Sequence, residues 1–387
     1  MATDAVPTSQ APSRYPYLDH LRVFLVLMVI VQHAAVTYSG LGGWYYKEGG
    51  TLLFPEFLGF AWLQSHLQSF FMGLLFLMAG YFVPPAFDRK GLGKFLRDRW
   101  FRLGWPSLFY MLLIHPTVTY GLHPIYHPDQ SRPSFTDHYL NYLWSGRVFS
   151  GSGPLWFAIV LLLFCIVYAG IRAIGKSPVY GVRATPPPGN WAVVGYIAIA
   201  GIVTGFVRVV QPLGTDILNI QLCFSTQYIL LFCIGILAYR NDWLGQIPTR
   251  FGFRWLSIGL TVGMALWLAV ILASKDDLDL LKGGWTWPSF GFAIWDAFFC
   301  AGASLGLLVL FRDRFNRSFC CGDLLIRNAF SIYVFHTPIL IAVTVALRPF
   351  SALPSVKFLV AIAMAIPLTI LMSEWVFRRI PILRAIL

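Results

Sequence analysis

One apolar stretch near the start of the chain carries three polar side chains at helical spacing. The segment YLDHLRVFLVLMVIVQHAA contains Asp19, Arg22 and His33. Asp19 precedes Arg22 by three residues, and His33 follows Arg22 by eleven, which is three turns plus about 20°, so all three face the same way. An imidazole can act as a general base near neutral pH. Arg22 lies about 16 Å from His33 along the helix. A guanidinium that a neighbouring carboxylate orients can bind phosphate groups.

Each of these side chains also has an ordinary structural interpretation. Arg22, near one end of the stretch, can be an anchor whose charge reaches the membrane surface, and His33 can be hydrogen-bonded between helices. Because one helix face carries all three groups, we interpret them as the wall of a functional cleft. His33, Arg22 and Asp19 are therefore the candidate catalytic residues.

The composition places the helix that carries these residues in a lipid bilayer. Of the 387 residues, 57% are hydrophobic and 12% are charged, whereas about 25% are charged in ordinary globular proteins. The mean hydropathy is +0.66. Too few polar side chains remain to cover a water-soluble particle of this size, so a soluble fold is excluded.

Ten apolar runs approach the length of about 20 residues that one membrane crossing needs. We therefore predict an all-α fold, a polytopic membrane bundle of about ten transmembrane helices. A short polar tail at 1–17 precedes a single integral-membrane domain at 18–387. The predicted spans are 18–38, 60–83, 103–121, 154–173, 191–210, 226–239, 254–273, 290–311, 326–347 and 356–377.

The basic residues predict the orientation of this bundle. With ten spans, both termini lie on the same side of the membrane. All but eight of the 29 lysines and arginines then lie on that side too. Since cytoplasmic loops carry the excess of positive charge, both termini are predicted to be cytoplasmic. The net charge of +12 is then mainly an orientation signal, and no nucleic-acid partner is expected. The eight residues on the other side are Lys47, Arg132, Arg147, Arg208, Lys275, Lys282, Arg348 and Lys357.

One basic stretch, DRKGLGKFLRDRWFR, packs six cations beside the predicted cytoplasmic surface. Membrane anchors explain most of them. A cytosolic polyanion such as a nucleotide phosphate can use the rest, and Arg99 and Arg102 are the candidate binding residues.

Three further histidines are predicted at middle to outer depth in other spans, namely His336, His115 and His66. With His33 they predict a polar chamber that one ligand enters from the cytoplasm and another from outside. A zinc site is the competing interpretation, because four histidines lie close together in the sequence at 115, 123, 127 and 138. Their spacing crosses a membrane boundary and several prolines, so we predict no metal and no tightly bound cofactor.

Two carboxylates near span ends, Asp296 and Glu374, are predicted to pair with nearby cations. Arg208, at the outer end of the fifth span, is a candidate contact for a carboxylate on a ligand.

Several motifs in series resemble those of the integral-membrane acyltransferase family 3, and within it the branch of the glucan biosynthesis protein C type, which succinylates glucans. The opening signature is Asp19, Leu21, Arg22 and His33. The stretch FFMGLLFLMAGYF at 70–82 resembles the family's second span, although many relatives have Ser-Gly in place of Ala79-Gly80. The later landmarks are Arg99, Arg102 and Pro106; Leu155, Trp156 and Phe157; and Tyr333 and His336.

The resemblance implies a bacterial inner-membrane enzyme that moves an acetyl or succinyl group from cytosolic acyl-CoA to a hydroxyl of an envelope carbohydrate such as a glucan. His33 would deprotonate that hydroxyl, and Arg22 with Asp19 would hold the donor. Tyr333 would donate to the oxyanion. The remaining candidate substrate-binding residues are Arg99, Arg102, Trp156, His336, His115 and His66.

Three alternatives stay open. A covalent acyl-His33 intermediate is one mechanism, beside direct transfer. A proton-coupled secondary transporter of a small organic anion or sugar also suits ten spans with buried histidines, although no paired broken spans are visible in corresponding halves. The third alternative is a non-enzymatic membrane scaffold or receptor, but this function would not require the polar side chains on the first span.

Overall fold

The computed structural model describes residues 15–50, 52–175, 182–317, 322–381 and 383. Within these ranges the fold is all-α, as predicted, and extended pairing is limited to an isolated bridge between Ile217 and Ile220. The first helix begins at Pro16, so the end of the predicted tail 1–17 is helical. Residues 1–14 of that tail lie outside the described residues.

Thirteen α-helices follow one another along the described chain. They are α1 (Pro16–Ser39), α2 (Phe54–Arg99), α3 (Trp105–Phe109), α4 (His115–Tyr126), α5 (Phe135–Trp144), α6 (Trp156–Ile174), α7 (Asn190–Val210), α8 (Ser225–Arg240), α9 (Trp243–Gln246), α10 (Thr249–Ala273), α11 (Trp287–Arg314), α12 (Gly322–Ala346) and α13 (Pro354–Trp375). Two π-helical turns, Trp100–Gly104 and Tyr110–Ile114, connect α2 to α3 and α3 to α4. Short 3₁₀ helices lie at Arg147–Ser150, Gly153–Leu155, Leu222–Phe224, Leu278–Leu281 and Phe377–Arg379.

Nine helical segments in the described chain are long and apolar enough to cross a membrane. Eight correspond one to one with predicted spans, and the ninth, Phe54–Tyr126, contains two of them, 60–83 and 103–121. Its 73 residues would extend about 110 Å if straight, several times the hydrocarbon thickness. The segment breaks at Gly91, where φ is 71°, a conformation that favours glycine. The prediction of ten spans and the observed nine segments therefore differ in how this one segment is counted.

Helix ends that the charge pattern assigns to the basic side contact one another. Arg172, at the end of α6, and Arg240, at the end of α8, both pair with Asp88, at N–O distances of 3.5 and 2.6 Å. His20, at the start of α1, donates to the carbonyl of Phe315, just after α11, at 2.7 Å.

The opposite helix ends also meet one another. The hydroxyl of Ser355, in the first turn of α13, donates to Glu56 in α2 at 2.7 Å. Lys357 of α13 pairs with Glu48 in the loop after α1. These contacts agree with the predicted sorting of ends into two faces, while the assignment of the basic face to the cytoplasm remains a prediction of the positive-inside rule.

Helix α1 lies inside the bundle and packs against α2, α11, α12 and α13. Leu21, Leu25, Ile30 and Ala34 on it have no exposed surface. A helix that is apolar on several faces is suited to such a position, where its few polar groups face other protein elements.

Helices α2 and α8 approach so closely that glycine is required at their crossing. A Cβ atom at Gly80 would overlap the carbonyl oxygen of Phe232, and one at Gly235 would overlap that of Leu77. Small residues allow such close packing between helices in a membrane. This crossing fixes α8 against α2 on one side of the cavity described next.

Candidate active site

A cavity of about 770 Å³ lies among the helix ends that the charge pattern assigns to the outer side. Side chains of α1, α2, α4, α6, α8, α10, α11 and α12 form its walls, with loop residues at 40–45, 150–154 and 213–221. Amide side chains and indole rings are prominent in the lining: Gln32, Gln64, Gln68, Asn219 and Gln221, with Trp44, Trp156 and Trp267.

His33 belongs to the wall of this cavity and is held by aromatic neighbours. The Trp44 indole covers one face of the imidazole, with ring centroids 3.8 Å apart and planes 15° apart. The ring of His336 from α12 lies 5.5 Å from that of His33, with planes 13° apart. The structure therefore brings together two of the predicted histidines and adds a tryptophan that sequence reasoning missed.

The end of α1 explains how Trp44 reaches His33. Gly40 caps the helix with φ of 72°, and its N–H donates to the carbonyl of Val36 at 3.0 Å. A left-handed glycine at this position ends a helix and turns the chain away from its axis. The N–H of Glu48 then donates to the carbonyl of Thr37 at 2.8 Å, so the loop folds back beside α1 and carries Trp44 over the imidazole.

Two more predicted residues on the cavity wall are anchored by hydrogen bonds or ring contacts. His115 Nδ1 lies 2.7 Å from the Tyr45 hydroxyl, and its ring stacks on that of Tyr142 at 5.3 Å. Burial raises the pKa of Tyr142 to about 12, so its hydroxyl keeps its hydrogen at neutral pH and donates it to the carbonyl of Met111 at 2.7 Å. Trp156 stacks on Tyr228 at 5.6 Å.

Tyr333 also lines the cavity, but its hydroxyl donates to the carbonyl of Pro154. The one hydroxyl hydrogen is thus already used, and this conformation does not offer it to an oxyanion. The bond instead ties α12 to the loop before α6.

His66 does not belong to the cavity lining in the described structure. Its ring has edge contacts with Trp267, Trp295 and Phe299 at centroid distances of 5.4, 4.9 and 4.6 Å. Its Nδ1 donates to the carbonyl of Trp62 at 2.8 Å. The sequence predicts His66 at middle to outer depth but could not show that aromatic rings from α10 and α11 enclose it.

The other predicted residues lie toward the basic side. Arg22 Nη2 pairs with Asp19 Oδ1 at 2.9 Å, and 44% of the Arg22 side chain is exposed. Arg102 pairs with Asp98 at 3.4 Å, and Arg99 lies over the Phe95 ring at 5.1 Å. In the described structure none of Asp19, Arg22, Arg99 or Arg102 lines the cavity.

Asp296 and Glu374 pair with cations, as predicted. Asp296, on the cavity wall, accepts from the buried Arg208 at 2.7 Å, and Glu374 accepts from Arg327 at 2.6 Å. Because Arg208 donates to Asp296 and has no exposed surface, Asp296 is the member of this pair that a ligand in the cavity can contact. The sequence predicts Arg208 as a contact for a ligand carboxylate, whereas in the structure its side chain is buried and donates to Asp296.

The histidines that suggested zinc are spread over two helices and a loop. His138 Nε2 lies 3.1 Å from the Thr119 hydroxyl, and the rings of His123 and His127 are 4.8 Å apart. Within the described residues, no three side chains of His, Cys, Asp or Glu come together as metal ligands would.

The family model for an acyltransferase domain of family 3 matches residues 15–374. Comparison with curated proteins and with solved structures gave no significant match. The matched region contains the residues that line the cavity, His33 and His336, and the basic segment at 88–102. Because the match covers nearly the whole chain, the protein belongs to acyltransferase family 3 and is a membrane acyltransferase.

Proposed function

We propose that this protein transfers an acetyl or succinyl group from cytosolic acyl-CoA to a hydroxyl of an envelope carbohydrate such as a glucan. The observation that carries the proposal is the position of His33 in a cavity lined by amides and indole rings. Its helix carries the Asp19–Arg22 pair eleven residues away, at the basic side. The proposal includes a bacterial inner membrane as the location, with both termini cytoplasmic.

The cavity composition supports a carbohydrate acceptor. Amide side chains offer both donors and acceptors to hydroxyl groups, and indole rings offer flat apolar surface beside a polar tip. Asp296, neutralised by Arg208, adds a carboxylate that accepts hydrogen bonds. A ligand with many hydroxyl groups and little charge fits this lining better than a polyphosphate does.

The basic side supports a phosphate-bearing donor. Arg22, Arg99 and Arg102 carry permanent positive charge. Arg22 and Arg102 are bound to carboxylates on partly exposed surface, where an ion pair is worth only about 0–1 kcal/mol. A phosphate can replace the carboxylate at little cost. The thioester of the donor would have to extend from there along α1 to His33.

The reaction then needs one base. The acceptor hydroxyl oxygen attacks the thioester carbonyl carbon while its proton passes to His33. The carbon–sulfur bond breaks, the new ester bond remains on the acceptor, and the proton moves from His33 to the departing thiolate. Direct transfer requires no protein adduct, whereas an acyl-His33 intermediate would need two such steps.

The alternative of a proton-coupled transporter has one feature in its favour, which is the Asp296–Arg208 pair at the cavity wall. Buried ion pairs of this kind occur in proton pathways. Uptake of sugar or organic anion by sealed vesicles without any acyl donor would favour the transporter.

The experiment that tests the proposal uses the purified full chain in detergent, a panel of acyl-CoAs and glucan oligosaccharides. Mass spectrometry of the oligosaccharide should show the mass increment of the acyl group for acetyl-CoA or succinyl-CoA, and only with active protein. If no acyl-CoA gives the mass increment but another acyl donor does, the proposed donor is wrong. The assignment to the family would not be affected.

A further inference from the structure

The tautomer of His336 is fixed by its own helix. His336 Nδ1 lies 2.7 Å from the carbonyl oxygen of Tyr333. A carbonyl can only accept, so Nδ1 carries the hydrogen and donates it. In the neutral ring the other nitrogen, Nε2, is then an acceptor.

The rings of His33, Trp44 and His336 have a definite arrangement. Trp44 lies 3.8 Å from His33, His336 lies 5.5 Å from His33, and Trp44 and His336 are 6.4 Å apart, all in nearly parallel planes. If Trp44 and His336 covered opposite faces of His33, their separation would be larger than either distance to His33 by several ångströms. His336 therefore lies beside the edge of His33, where ring nitrogens are found, and Trp44 covers its face.

Three nitrogens in this cluster have no hydrogen-bond partner among the described residues. They are Nε1 of Trp44, Nδ1 of His33 and Nε2 of His336, and all three are buried. Trp44 lies over the face of the His33 ring, so its Nε1 is not in the plane where His33 Nδ1 forms hydrogen bonds, and the two histidine nitrogens remain to be explained. Unsatisfied buried polar atoms are rare and call for an explanation. Since the buried nitrogen of His33 is Nδ1 and the residue lines the cavity, Nε2 is the nitrogen that a ligand in the cavity can reach.

We infer that His336 is a positioning residue for His33. During the reaction its Nε2 lone pair would accept the Nδ1 hydrogen of His33, a hydrogen bond that this structure does not contain. That bond would favour the tautomer whose Nε2 lone pair points into the cavity. When His33 Nε2 takes the proton of the acceptor hydroxyl, the positive charge is shared with His336, and it disappears when the proton leaves with the thiolate. His336 gains and loses no net proton.

This role rests on the proposed function, and it differs from the substrate contact that the family resemblance suggests for His336. A substrate contact would govern the affinity for the acceptor. A positioning residue governs the rate of the chemical step, because the wrong tautomer of a catalytic histidine cannot act as a base.

Three substitutions separate the two roles. In His336→Gln the amide oxygen can occupy the region of Nε2 and accept a hydrogen bond. His336→Asn reaches only the region of Nδ1, and His336→Met fills the space without an acceptor. Each variant is assayed in the acyl-CoA reaction for kcat and for acceptor KM, and its thermal unfolding midpoint in detergent is compared with that of the unsubstituted protein.

We expect His336→Asn and His336→Met to lower kcat about 100-fold with acceptor KM within about twofold, and His336→Gln to keep kcat within about tenfold. A rise in acceptor KM at unchanged kcat, or equal losses in the Gln and Asn variants, would overturn the inference. If the Asn variant does not fold, the Gln and Met pair decides. Absence of acyl transfer by the unsubstituted protein would instead refute the proposed function on which the inference rests.

Discussion

The two ends of α1 present opposite solutions to placing polar groups in a membrane helix. At one end, Asp19 and Arg22 form an ion pair that remains partly exposed, with 44% of the Arg22 side chain accessible. At the other end, His33 is enclosed by the parallel rings of Trp44 and His336. The first end carries strong charge with a loose arrangement, and the second carries little charge with a fixed one.

This difference matches what each end would need to do. An exposed ion pair exchanges partners readily because water and salt already weaken it. A base must instead keep one orientation, because misplacing a catalytic group by about 1 Å can cost about 100-fold in rate. Under the proposed function, the same helix would bind a phosphate at one end and carry out proton transfer at the other.

The largest effect is expected when the imidazole of His33 is removed. His33→Ala should lower acyl transfer about 1,000-fold or more, because a positioned base contributes up to about 10⁴-fold. Donor binding, measured by titration of acyl-CoA into the purified variant, should be unchanged. His127→Ala, at an exposed histidine outside the cavity lining, is the matched control and should keep full turnover. Retained activity in His33→Ala would remove His33 from the mechanism.

A smaller effect is expected from the ring that covers His33. Trp44→Ala should lower kcat about 100-fold, because the imidazole loses the surface that fixes its plane. Trp44→Phe keeps an aromatic face and should stay within about tenfold. Steady-state kinetics of both variants provide the measurement. If the two variants lose activity equally, the stacking contact is not what matters at this position.

The smallest effect is expected at the charged end. Arg22→Ala should raise the KM for acyl-CoA about tenfold with kcat nearly unchanged, since one charge-assisted hydrogen bond is worth roughly 1.5–3 kcal/mol. Arg250→Ala, which removes an exposed arginine from the same predicted face, serves as control. A fall in kcat at constant donor KM would place Arg22 in the chemical step. The two ends of α1 would then not have the separate roles of donor binding and proton transfer.

Much of the fold was predictable because it depends on periodic signals. Length of apolar runs and loop charge predicted the helical bundle and eight of its nine described segments one to one. The sequence predicts a break between the spans 60–83 and 103–121 but does not locate it at Gly91, because the residues on both sides of this glycine are helical.

The candidate site was predictable only in part. Helical spacing placed His33 and His336 at similar depth, and the structure brings their rings together. Trp44 could not be predicted, since its position depends on the path of a loop that returns over α1. Likewise, the sequence identified His66 and Tyr333 as candidate residues, but their partners, an aromatic enclosure and the Pro154 carbonyl, depend on packing between distant helices.

The central claim is that donor and acceptor reach His33 from opposite faces of the membrane. Its most direct test uses sealed vesicles that contain the protein in one known orientation, with acyl-CoA, which cannot cross the bilayer, on one side and glucan oligosaccharide on the other. We expect acylated product only when acyl-CoA is at the basic face and the oligosaccharide at the cavity face. Equal product formation with both substrates confined to a single face would contradict the account.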